Sequence, residues 1–194
     1  MATIGNAPVF PTESVLPGNL TVTGTSLTVN GNEALVVDKA TQPLDISSSA
    51  GNGSIKIDSS GRITAPNRVM FYARKASGSG DVTGVYTAQF DTKIFDVGNG
   101  FNTSTGVYTA PVAGNYQFSI CAFNDYGNAG RIDWEKNGSV VGRFGREYAL
   151  NGYFCSESSI IIDMAVNDTI EGNISSGNMH INSGYNWFSG FLIG

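Results

Sequence analysis

Apolar residues in this chain recur at every second position, in short bursts broken by Gly, Asn, Ser and Pro, and rarely at the three-to-four spacing of a helix. In Tyr116-Gln117-Phe118-Ser119-Ile120 the three apolar side chains share one face of an extended segment, and Gly114 admits a turn conformation just before it. The same alternation predicts strands at 69–73, 86–90, 93–97, 106–109, 114–123, 132–135, 139–144, 153–164, 169–174 and 185–193. Strands of this number and spacing make an antiparallel sandwich of about eight to ten strands. Ala65-Pro66-Asn67 reads as the linker that precedes it.

Upstream of the linker the bursts shorten. Leu20-Thr21-Val22-Thr23-Gly24 is echoed seven residues later by Leu27-Thr28-Val29-Asn30-Gly31, and pieces at 34–38, 44–46, 55–58 and 62–63 continue the pattern. Strands so short bury too little to fold alone, so Leu20, Val22, Leu27 and Val29 are expected to meet their counterparts in other chains of a collar spanning 19–66. Residues 1–18 hold Pro8, Pro11 and Pro17 among isolated apolar residues, which fits neither a helix nor a central strand. They read as an extended arm whose Phe10, Val15 and Leu16 dock on another molecule. The fold class expected is therefore all-β: an arm (1–18), a collar (19–66) and a sandwich (67–194).

Composition narrows the functions this architecture can serve. The 25 glycines and 14% charged residues suit strands and tight turns. A net charge of −5 with 11 scattered basic residues gives no footprint for a nucleic-acid backbone. The first residues lack the charged and apolar regions of a secretory signal, and no run approaches the roughly 20 apolar residues of a membrane span. Cys121 and Cys155 both fall in strand-like segments and are expected as buried, unbridged thiols.

Several motifs downstream of residue 68 resemble, in order, the jelly roll of the complement globular-head and tumour-necrosis-factor families. They are Phe71-x-Ala73, Phe95-Asp96 with Asn99 and Phe101-Asn102, Thr105-Gly106-Val107-Tyr108-Thr109-Ala110-Pro111, Gly114-x-Tyr116-x-Phe118, Lys136-Asn137-Gly138, Asn167-Asp168-Thr169-Ile170 and the closing Trp187-Phe188-Ser189-Gly190-Phe191-Leu192-Ile193. The resemblance implies a jelly-roll head with Phe71, Tyr108, Tyr116, Phe118, Phe188 and Phe191 in its core, assembled as a homotrimer. It also admits a calcium ion, with no ligands assignable here. The Asn19-to-Gly31 wording is similar to the β-rich shafts and collars of bacteriophage fibre and decoration proteins.

Catalytic signatures are absent: no Gly-x-Ser-x-Gly, no Walker-type loop, no His-Glu-x-x-His. His180 lies in a Gly/Ser/Asn-rich stretch and is expected in a surface loop, Ser77 to Asp81 as a flexible turn, and the acidic residues as solvated turn or edge positions. Tyr126, Tyr148, Tyr153 and Tyr185 are candidates to stack on sugars of a host surface. The reading is a non-enzymatic homotrimeric virion surface protein of a bacteriophage, made in the host cytoplasm and partnered by the major capsid protein or another virion protein. A capsid decoration protein is favoured because a chain of this length has little room for a long shaft. A short tail fibre or spike binding host carbohydrate, and a soluble complement-type ligand-binding module, are the alternatives.

Overall fold

The computed structural model describes residues 44–47, 53–57, 60–124, 127, 129–145 and 152–194. The arm and collar residues Phe10, Val15, Leu16, Leu20, Val22, Leu27 and Val29, and the tyrosines Tyr126 and Tyr148, lie outside them. The first described strands, β1 (Leu44–Ser47), β2 (Gly53–Ile57) and β3 (Ile63–Thr64), form a three-stranded antiparallel sheet in that order. After the turn at Pro66-Asn67, the Arg68 N–H donates to the Ala65 carbonyl at 3.0 Å.

From there two five-stranded antiparallel sheets face one another. The first is built from β12 (Phe154–Met164), β9 (Gly114–Asn124), β15 (Trp187–Leu192), β4 (Met70–Arg74) and β6 (Thr92–Val97), side by side in that order. The second runs β11 (Ser139–Gly145), β10 (Gly130–Lys136), β13 (Thr169–Gly177), β8 (Val107–Thr109) and β7 (Phe101–Asn102). A two-stranded ribbon pairs β5 (Ser79–Val82) with β14 (Met179–Asn182). The sandwich is closed by non-local pairing, since the last strand β15 lies between β9 and β4.

Period-two alternation supplies the core. Tyr116, Phe118 and Ile120 of β9, Phe71 of β4 and Phe188 of β15 point inward from one sheet, and Tyr108, Ile132, Trp134 and Ile170 point inward from the other; all are fully buried. The Phe71 ring stacks on Tyr108 at 4.7 Å and takes the edge of Phe188 at 4.8 Å. Gly190 makes room for this cluster, because a β-carbon there would lie 2.5 Å from the Phe118 ring and 2.7 Å from Phe71. Burial of each ring contributes roughly 1.5–3 kcal/mol. Arg68 ties the start of the sandwich to its end, donating from Nε to the Leu192 carbonyl at 2.9 Å.

Phe191, expected in the core, stands instead on the outer face of its sheet and is 39% exposed. It is three residues from Phe188, and an odd separation in one strand places two side chains on opposite faces. Residues 86–90, expected as a strand, hold a 3-10 turn at Tyr86–Gln89, whose Thr87 hydroxyl accepts from the Gly172 N–H at 3.2 Å. The Ser77–Asp81 stretch is not a loose turn from residue 79 onward: it enters β5, which pairs with the very segment that holds His180.

Candidate interaction face

Because β15 pairs with both β4 and β9, and these pair with β6 and β12, residues fall into rows across the outer side of this sheet. One row runs Phe95, Tyr72, Ser189, Ser119, Ser159. The next, two residues along each strand, runs Val97, Met70, Phe191, Gln117, Ile161. On the other side lie Arg74, Trp187, Cys121 and Glu157.

The face is uneven from one edge to the other. Over β6, β4 and β15 it is aromatic: Tyr72 lies between Phe95 and Trp187, each ring centroid 6.2 Å away. Arg68, Met70, Tyr72, Phe95, Ser189 and Phe191 border an open apolar groove of about 410 Å³ there. Over β9 and β12 it is small and polar, with the Ser119 and Ser159 hydroxyls hydrogen-bonded at 2.6 Å. Phe95 and Ile161, near its two edges, are largely exposed.

In the sequence Phe95 and Trp187 stood out only as parts of family motifs and Tyr72 not at all, although a signal for a shared outer face exists there. Met70-Phe71-Tyr72 and Trp187-Phe188 carry large apolar side chains at both parities of a strand. A half-buried strand of a free-standing sandwich carries them at one.

At the end of the face beyond Trp187, Tyr153 and Tyr185 both stack on Phe123, at 5.8 and 4.8 Å with interplanar angles of 13° and 26°. The cysteines lie beside them and are unbridged. Cys121 is buried and donates to the Tyr185 carbonyl at 3.2 Å, and burial, with the neighbouring Cys155 and Glu157, pushes its thiol up to about 12. Cys155, expected to be buried, is exposed, because it alternates with Phe154 on the outward parity of the sheet-edge strand β12.

His180 departs from its expected surface loop: it lies in β14, 9% exposed, with Nδ1 2.8 Å from Asp81 Oδ1 across the ribbon. Two acids also depart from the expectation of solvated turns. Asp133 is 3% exposed within β10, where both carboxylate oxygens accept from Arg143 Nε at 3.1 and 3.2 Å and one from the Ser175 hydroxyl at 2.7 Å. Asp96 accepts from the Gly100 and Phe101 N–H groups at 3.0 and 3.2 Å and from Lys93 at 3.0 Å, so it organises the turn after β6. Each satisfies donors that folding would otherwise strand.

Asp168 is held by Asn137 Nδ2 at 2.8 Å, by Lys136 at 2.9 Å and by the Ala165 N–H at 2.8 Å. These donors, Asn137 foremost, hold its carboxyl down at about 2. Among the described residues no three His, Cys, Asp or Glu side chains come together as metal ligands. No helix among them is long and apolar enough to cross a membrane.

An aromatic core between two five-stranded antiparallel sheets defines a jelly-roll sandwich. A family model of the C1q domain matches residues 70–193, and the chain belongs to that family. The fold is shared with solved structures. The globular domain of zebrafish complement 1qA is 18% identical, with 66% of this chain and 98% of that one covered and a TM-score of 0.51. The crystal structure of murine APRIL is 12% identical, with 65% and 99% covered and a TM-score of 0.51.

Proposed function

We propose that this chain forms a homotrimeric, non-enzymatic C1q-type head whose outer sheet face is the subunit interface, displayed on a bacteriophage particle by the N-terminal region. The observation that carries the trimer is the unevenness of that face. The aromatic half of one copy set against the small, polar half of the next makes a head-to-tail pairing. Head-to-tail contacts close into a ring where the rotation between copies closes, and the C1q-family fold supplies such a closure here. The family resemblance implies three members. Ile63 of β3, 73% exposed, supports partner chains for the short N-terminal strands as well.

Placement on a particle rests on the sequence. The repeated Leu-Thr-Val units at 20–22 and 27–29 need neighbouring chains, and the proline-restrained arm at 1–18 loses little entropy on docking to a capsid or other virion protein. Within that setting a capsid decoration protein is the first reading. A short fibre or spike that meets the host is the second, favoured by the exposed rings of Tyr153 and Tyr185.

Phe95→Asp and Phe191→Asp should convert the trimer to folded monomer, because each places an unpaired charge in the interface. Light scattering together with a retained cooperative melt would show this. Variants that keep the wild-type mass would remove the interface assignment. Particles stripped of the protein should lose heat or osmotic resistance while still adsorbing to host cells; the reverse outcome selects the fibre reading.

A further inference from the structure

The cleft beside the stacked rings is a site of a different character from the apolar groove. It is bordered by Phe123, Tyr153 and Tyr185 on one side and by Ser79, His180 and Asn182 of the β5–β14 ribbon on the other, and it encloses about 330 Å³. That volume is near the lower end for small-ligand sites, roughly 300–1,000 Å³, and matches one or two sugar rings rather than a long chain. Tyr153 and Tyr185 are 72% and 53% exposed although each is pinned against Phe123, so the two rings are held rigid and uncovered at once.

We propose that this cleft binds neutral saccharide, with a pyranose ring stacked on Tyr185 or Tyr153 and its hydroxyls held by Asn182 and Ser79. The inference rests on the reading of the head as one that meets the host surface and names its ligand class. A pyranose combines an apolar C–H face, which suits an aromatic ring, with a rim of hydroxyls that each donate and accept. The lining answers both needs. The Asn182 side chain offers two donors and an acceptor, the Ser79 hydroxyl offers both roles, and neither side chain has a hydrogen-bond partner among the described residues.

Charge excludes the other small-ligand classes. Among the described residues no lysine or arginine borders the cleft, and the imidazole of His180 faces the carboxylate of Asp81 at 2.8 Å, so these residues offer a phosphate, sulfate or sialic acid no lysine or arginine counter-charge. An acyl chain would leave the amide and the hydroxyl buried without partners. The site is formed before any ligand arrives, since Phe123 packs against His180 at 6.0 Å and Cys121 donates to the Tyr185 carbonyl.

The test uses the full chain on an array of neutral glucose, galactose and N-acetylglucosamine oligosaccharides, with sialylated and sulfated oligosaccharides alongside and the mass of each variant measured in parallel. Neutral oligosaccharides should bind. Tyr153→Ala and Tyr185→Ala should weaken that binding by about tenfold or more, and Asn182→Ala measurably, at unchanged mass and melting temperature. No retention of any neutral oligosaccharide, retention of acidic ones alone, or unchanged binding by both tyrosine variants would overturn the proposal. So would loss of the trimer in Tyr153→Ala and Tyr185→Ala, which would make these rings subunit contacts. A monomeric wild-type chain that still binds neutral sugar would uphold the cleft and remove the trimer reading instead.

Discussion

Phe188 and Phe191 belong to one strand, three residues apart, and the sheet sends one inward and the other outward. Their substitutions should separate accordingly. Phe188→Ala opens a cavity among Phe71, Phe101, Phe118 and Trp134 and should cost about 3–5 kcal/mol in urea unfolding, whereas Phe191→Ser should act on assembly. The sequence carried half of this: their odd separation sets the two on opposite faces, and only the register, which puts Gly190 opposite Phe118 and Phe71, makes Phe188 the inward one. Asp168 gives a pH signature at the same scale. Its carboxyl is held at about 2 against an ordinary 3.8, so the stability it contributes is present above about pH 4 and is lost as pH falls through 2. Asp168→Asn should therefore melt lower than wild type at neutral pH, with the difference vanishing near pH 2; an equal difference at both would disprove the charge-assisted role.

Elements were legible in proportion to how local their cause is. The β10–β11 hairpin is written in Asn137-Gly138, where φ values of 50° and 73° make the two-residue turn whose twist matches the strands that it joins. Gly138→Val should cost roughly 1–2 kcal/mol, read as a lower urea midpoint at unchanged slope. The ribbon of β5 and β14 was not legible, because Ser79-Gly80-Asp81-Val82 has neither alternation nor β-branched density, and its partner lies about a hundred residues away. Only the pairing makes it a strand, and that pairing also draws His180 out of the expected loop. Tyr86–Gln89 failed for a related reason: Tyr86 is buried, hydrogen-bonded to the His180 carbonyl and to Asn186, so its contacts, not its spacing, decide its conformation. Deleting residues 187–194 removes β15 from between β9 and β4 together with Phe188, and should abolish cooperative folding.

At the scale of the molecule, residues 69–194 carry their own core and closing strand, and should fold without the residues before them. The sandwich was readable because its core is spread over many alternating strands. The aromatic outer face was not, because its residues lie on the parity that a free-standing sandwich leaves to polar side chains, and only the register of five strands shows them as one surface. The central claim is that this surface, within the head itself, joins three copies. Sedimentation equilibrium of the 69–194 fragment should give three times the fragment's chain mass across micromolar concentrations, and a folded fragment that stays monomeric throughout would overturn the trimeric assignment of this face.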